Sequence, residues 1–362
     1  MLLLVVLLSA CREDDAGTPQ AQMRTISLNF PAIQPYTASR AEDDVNAITH
    51  ESTFHTADIW VFNSTNTATD ATAAAYKHIE DAERYTTSSG ELRTELTIPE
   101  EITTVDIYVI TNGLVAGLDA NSTRSALQST TFSNKPNNET SSELTNNGLL
   151  MSRIIRGIPV ANLSGSDANT QLPLERGVAK IACFFAKESE STQAEITSIT
   201  VSGATDRGSV FPAAVTFENK DTRPSAANVP EGAGTVVDFS ILPSALTVSA
   251  VLDEGETMER GENEYAQNYV DRLVNTIQAD HTDDYYLFEA DANEMQISIK
   301  YRIDNGEEKE AEPLVLNKDI VRNHYVVIVG TVQRTSVPVE DIELLFEIVS
   351  YENREISIPD FE

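Results

Sequence analysis

The chain has 362 residues with 57 acidic and 25 basic side chains, and its formal charge of −32 excludes nucleic-acid binding through a basic face. Apolar residues at 41% suffice for a core, and the length fits two domains or one large all-β domain. Five histidines and two cysteines leave little material for a soft-metal site, and no heptad series supports a fibrous coiled coil.

Residues 1–8 are an unbroken apolar run, followed by Ser9, Ala10 and Cys11. Spanning a bilayer needs about 20 apolar residues, so this run reads as the core of a signal peptide ending in small residues. Residues 16–22 are a tether. Residues 23–30 then alternate, placing Ile26, Leu28 and Phe30 on one face, interrupted at Arg24, as a half-buried strand does. Pro31 and Pro35 open a loop that runs to Asp44 and carries Arg40 among small and polar residues. Proteolytic nicking concentrates in such accessible loops, although an ordinary linker with a solvated arginine reads equally well from these residues.

Strands dominate the rest of the chain. Residues 57–62 form a compact strand around Trp60, the only tryptophan, and residues 71–84 suit a short surface helix. Residues 92–98 alternate, and the β-branched run 105–111 suits a central strand. Residues 119–148 are rich in Asn, Ser and Thr, and residues 151–160 complete a first unit. The polar cluster at 161–173 marks a boundary, giving expected domains at 41–170 and 171–362. Beyond it, strands are expected at 174–185, 196–201, 210–217 and 236–241. Within 256–279, Tyr265, Tyr269, Leu273 and Ile277 recur every four residues, so a helix is expected to begin after Gly261. Strands are expected again at 285–289, 295–301 and 318–332, with Asp304-Asn305-Gly306 supplying a hairpin turn. Residues 342–349 and 355–361 supply two last strands.

Catalytic signatures are missing from the sequence: no phosphate-cradling loop, zinc-binding helix, EF-hand loop or glycine-flanked serine occurs. Asp280-His281-Thr282-Asp283-Asp284 matches no recognised ligand order and reads as a loop of solvated charge. Asn63-Ser64-Thr65 and Asn121-Ser122-Thr123 match the glycosylation acceptor pattern, a short motif that carries little weight by itself. Cys183 lies in an apolar strand and is expected to be a buried free thiol. His324 suits packing or a cross-strand hydrogen bond. No catalytic residue, cofactor site or metal site is assigned.

Several segments together resemble the fimbrillin-like proteins of Bacteroidales. Leu8-Ser9-Ala10-Cys11 is similar to a lipoprotein processing box, and Arg12-Glu13-Asp14-Asp15 to a surface-export signal. Asp58-Ile59-Trp60-Val61-Phe62 resembles the first strand of the family's amino-terminal domain. Leu174-Glu175-Arg176-Gly177-Val178-Ala179-Lys180-Ile181 resembles the opening of its carboxy-terminal domain. Tyr285-Tyr286-Leu287-Phe288-Glu289 and Val321-Arg322-Asn323-His324-Tyr325-Val326-Val327 resemble two of that domain's strands. The final segment lacks the tryptophan that precedes it in many relatives.

The resemblance implies a mainly β chain of two transthyretin-like β-sandwich domains in tandem, with no enzymatic activity. It implies residues 1–11 as signal peptide and lipidation site at Cys11, and residues 12–40 as a propeptide removed after Arg40 by an arginine-specific, trypsin-like protease. Such a cut removes the strand bearing Ile26, Leu28 and Phe30 and leaves the charge at −32, because residues 1–40 hold three arginines and three acids. A neighbouring subunit then donates a strand from residues 342–361, through Leu344, Phe346 and Ile348 or through Ile356 and Ile358. Implied partners are other fimbrial subunits, the protease and outer-membrane lipid. A surface-tethered binding lipoprotein, at a fimbrial tip or as an anchor, is the alternative. A surface hydrolase is the third reading, and the missing nucleophile counts against it.

Overall fold

The computed structural model describes residues 22–31, 50–113, 117–164, 170–221, 234–261, 264, 266–333 and 341–350, the last segment as backbone apart from Ile342. The first half supplies β1 (Met23–Phe30), β2 (Ala57–Asn63), β3 (Ala75–Ile79), β4 (Leu92–Pro99), β5 (Thr104–Thr111), β6 (Thr131–Phe132) and β7 (Met151–Pro159). Two short helices, α1 (Arg124–Gln128) and α2 (Ser142–Asn147), lie between β5 and β7. The β-branched run of β5 is buried almost throughout and takes the centre of a sheet, with β2 on one side and β7 on the other. β1 and β4 form a separate antiparallel pair that packs over this sheet. Their alternation decides which face is dry: Leu92, Thr94, Leu96 and Ile98 are buried, whereas Arg93, Glu95 and Thr97 are exposed. Ile26, Leu28 and Phe30 meet Ile59, Val61, Ile107 and Met151 in one core.

The second half supplies β8 (Glu175–Arg176), β9 (Ala179–Lys187), β10 (Ala194–Thr205), β11 (Gly208–Ser209), β12 (Val215–Thr216), β13 (Val236–Ser240) and β14 (Leu246–Val248). After helix α3 (Ala266–Asp271) come β15 (Asp280–His281), β16 (Tyr285–Leu287), β17 (Gln296–Ile303), β18 (Lys309–Glu310), β19 (Leu314–Val315), β20 (His324–Gln333) and β21 (Asp341–Ser350). One sheet has the order β13-β10-β17-β18 and the other β15-β9-β20-β21. Ile181, Cys183 and Phe185 of β9 enter the core between these sheets with Ile199, Val201, Ile297 and Ile299. Ala182, Phe184 and Ala186 point the other way, beneath Tyr269, Val270 and Leu273. A strand covered on both faces needs no polar alternation, which explains the apolar run at 181–186. Gly203 sits at a bulge in β10 with φ of +79°, and a side chain there would meet the Glu294 carbonyl, so glycine is required.

Most expected strands are present, and the turn at Asp304 and Asn305 has the positive φ that those residues tolerate. Three expectations are corrected. Residues 71–84 form no α-helix: β3 pairs along the edge of β2, and a 3₁₀ turn at Ala82–Tyr85 comes next. Tyr76 Oη donates to Asp58 Oδ1 at 2.6 Å and His78 Nδ1 lies 2.8 Å from the same oxygen, so an acid on β2 draws this segment into the sheet. The helix in 256–279 starts after Gly261 as expected, but it is short and passes into a π turn at Arg272–Thr276. That turn keeps Tyr269, Leu273 and Ile277 buried on the sheet. Finally, residues 210–217 do not extend the second sandwich. β12 pairs in parallel with β7 and β11 pairs with β6, so a loop from beyond residue 171 completes the first sheet.

Cys183 is fully buried and free, and burial pushes its thiol far above the ordinary range. A soluble disulfide reagent is therefore expected to leave it unmodified in the native protein and to titrate it fully in denaturant. Rapid native-state labelling would contradict this packing.

Candidate functional site

β1 is the element whose attachment is distinctive. It is hydrogen-bonded along its whole length to β4, from Met23 opposite Pro99 to Phe30 opposite Leu92. On its other side the Leu172 N–H donates to the Asn29 carbonyl at 2.9 Å. The strand therefore belongs to neither large sheet, yet Ile26, Leu28 and Phe30 close the first core. Burying each of these side chains contributes about 1.5–3 kcal/mol, so the core cannot stay dry without an occupant here. Outside this pair lies a groove of about 470 Å³ lined by Ser27, Asn29, Lys77, Tyr85, Arg93 and Glu95.

The second candidate element is β21, the outermost strand of its sheet among the described residues and paired antiparallel to β20 throughout. Leu344, Phe346 and Ile348 stand at the register positions of Gly330, Ile328 and Val326, and Ile342 is buried in the second core. Cys11, Arg40, Ile356 and Ile358 lie outside the described residues. The structure thus brings Ile26, Leu28 and Phe30 together on one core and places the 342–348 segment on the other sandwich.

Between the two cores lies a buried polar junction that periodicity did not reveal. Lys180 Nζ contacts Glu51 Oε1 and Asp284 Oδ2, both at 2.7 Å, and lies 5.7 Å from the Tyr325 ring centre. Tyr286 Oη donates to Glu51 Oε1 at 2.6 Å, and Tyr325 Oη donates to Asp284 Oδ1 at 2.7 Å. Arg176 donates to the Glu51 carbonyl and to Asn323 Oδ1, while Arg153 pairs with Glu175. Nearby, Arg322 pairs with Glu289 at 2.7 Å and donates to the Ser209 and Val210 carbonyls. Tyr286 and Phe288 also pack among Trp60, Tyr108 and Phe211 on the outer face of the first sheet. Three of the segments that carried the resemblance converge here. Their signal was a charge inside an apolar run, such as Lys180 within 178–185. The acids at 280–284 are likewise not a loop of solvated charge: Asp284 is buried, and Asp280 accepts from Ser249 and Ala250.

These two paired-sheet cores, an interleaved junction and a first strand paired only with β4 along its length define a mainly β fold of the fimbrillin type. No family model matches the chain, and no curated protein matches it. Among solved structures it is similar to a protein assigned to cell adhesion from Parabacteroides distasonis ATCC 8503, at 14% identity and TM-score 0.51, covering 90% of this chain and 96% of that one. It is also similar to the tip fimbrial protein Mfa3 of Porphyromonas gingivalis with C-terminal truncation, at 13% and 0.50, covering 91% and 100%. The fimbrilin FimA of P. gingivalis W83 matches at 12% and 0.50, covering 90% and 97%. At these identities the likeness establishes a shared, mainly β fold with proteins of the family that the sequence resembles.

Truncating one partner of a buried ion pair leaves the others uncompensated. Lys180→Met is expected to destabilise the protein by about 3–5 kcal/mol in urea denaturation. Adding Glu51→Gln and Asp284→Asn should recover much of that loss, and a single mutant as stable as wild type would refute the role of the junction.

Lys135 Nζ lies at the same seam, 5.5 Å from the Phe288 ring centre and 5.8 Å from that of Phe239. Burial lowers its pKa to about 8, against a smaller opposing effect of Glu143. A lysine whose folded pKa lies below its unfolded value binds fewer protons when folded, so its contribution makes stability rise from pH 8 toward the ordinary lysine range. Lys135→Met is expected to raise stability at pH 7 by up to about 3 kcal/mol and to flatten that rise in denaturation curves measured across pH.

Proposed function

We propose that the protein is a structural subunit of a cell-surface fimbrium, exported as a lipoprotein through Cys11 and polymerised by strand exchange. In this reading the two paired-sheet cores are two transthyretin-like domains meeting near residue 170, with residues 208–219 reaching back across the boundary. The observation that carries it is β1. It fills an apolar core as a strand of the first pair, but it is joined to the rest of that core by one full ladder, to β4. Cleavage after Arg40 cuts its connection to β2 and lets it leave with the lipid.

Departure exposes the ladder edge of β4 and the pockets of Ile26, Leu28 and Phe30. An extended strand from a second subunit supplies what both lack: backbone hydrogen bonds to the edge and alternate apolar side chains to the pockets. Such a contact is heterologous and does not close on itself, so it propagates a filament. The fold shared with a fimbrilin and a tip fimbrial protein supports a structural or adhesive role at the outer-membrane surface.

Mass spectrometry of polymers sheared from the cell surface tests this. The expected amino-terminal residue is Ala41, with Cys11 and β1 absent. Polymers that keep residues 12–30 in every copy would overturn the assembly route and favour a tethered binding or anchor protein.

A further inference from the structure

β1 and its seat carry polar groups where a well-matched strand would carry none. Arg24 stands on the core face of β1, two residues before Ile26 and opposite Ile98, and its Nε is buried without a hydrogen-bond partner. On the partner strand, Thr94 stands opposite Leu28 with its hydroxyl buried and unpartnered, among Leu92, Leu96 and Ile98. Asn29, on the other face and almost fully buried, leaves its Oδ1 unpartnered as well. Three unpaired polar atoms thus fall within a single two-stranded sheet. Each removes much of what its neighbours gain by burial, because the group gives up water and receives nothing in return.

We infer that β1 is an imperfect occupant of its own groove, and that Arg24 is the residue that sets the preference for a replacement. This inference rests on the strand-exchange reading. The replacement that fits is the 342–348 segment of a second copy of this chain. Laid along β4 in the direction of β1, with Ile342 at the Arg24 position, it places Leu344, Phe346 and Ile348 at the positions of Ile26, Leu28 and Phe30. The charged residue on the core face is thereby exchanged for an aliphatic one. The same register puts Glu347 at the Asn29 position, opposite Arg93, whose guanidinium already pairs with Glu91 at 2.6 Å, so the choice of segment rests on the apolar positions. The other C-terminal candidate, residues 355–361, offers Ile356 and Ile358 but then Asp360 at the next core position, after Pro359. Proline cannot donate to a ladder and an acid has no partner in that core. The geometry therefore selects residues 342–348 over the tail.

Hydrogen exchange on the intact, uncleaved chain tests the seat directly, because it reads how often β1 opens without requiring cleavage or polymer. Amides of β1 are expected to exchange faster than those of β5. Arg24→Leu, and separately Thr94→Val, should each slow β1 exchange by roughly 5- to 150-fold, the span expected for removing one unpaired buried polar atom. In a second arm, a synthetic peptide of residues 341–350 at millimolar concentration should speed β1 exchange, and a peptide of residues 354–361 should not. Unchanged β1 exchange in both variants would overturn the role of Arg24 and its mismatched seat. Equal effects of the two peptides would overturn the choice of strand. Neither outcome depends on whether surface polymers retain residues 12–30, so this inference and the assembly route can fail independently.

Discussion

Lys180 is held by two carboxylates from the two halves of the chain, and the joining of those halves depends on satisfying that buried ammonium. Glu51 comes from the segment before β2, and Asp284 from the segment before β16. A lone charge at this depth would cost several kcal/mol, and the two acids and two tyrosine hydroxyls around it remove that penalty only when both halves are in register. The hydrophobic effect supplies the drive to pack the two cores, but it has no direction. The ion pairs supply direction. Glu175 and Arg176 open the second half by pairing with the last strand of the first sheet, so the chain crosses between cores through a buried segment instead of an open linker.

This rigid seam contrasts with the attachment of β1. The large sheets share side chains on both faces, and β9 is covered by a sandwich core on one side and a helix on the other. β1 has one ladder, one apolar face and three polar atoms without partners in its pair with β4. A molecule with firm cores and one loosely matched closing strand has its conformational freedom concentrated in that strand. The strand replacement proposed above would draw on that freedom while the rest of the fold stays intact.

Excess negative charge acts on the same design. With a formal charge of −32, monomers repel one another at long range, and an exposed strand edge is protected from indiscriminate pairing. Association then needs a specific short-range contact that outweighs the repulsion. An apolar groove that accepts alternate side chains is such a contact, and its strength grows with the match between strand and groove.

Much of the fold was legible from residues alone. Period-two alternation located β1 and β4, a β-branched run located β5, and an apolar run located β9, because those patterns arise from backbone geometry and burial without reference to distant partners. The same reasoning picked out Ile26, Leu28 and Phe30 as one face. It read 71–84 as a helix because its local propensity is weak, and the deciding contacts, from Tyr76 and His78 to Asp58, lie across a strand pair. It read Lys180, Asp284 and Arg322 as parts of strands or loops, since a charge in sequence looks solvated until its counter-charge is placed. That placement spans from Glu51 to Asp284, and the return of residues 208–219 to the first sheet is similarly non-local. The order of side chains was enough to say where strands form and which side of each is dry, because backbone periodicity is local. Which charges are buried together, and which strand is poorly matched to its seat, emerged only when the chain was folded, because burial and pairing belong to contacts between segments far apart in sequence.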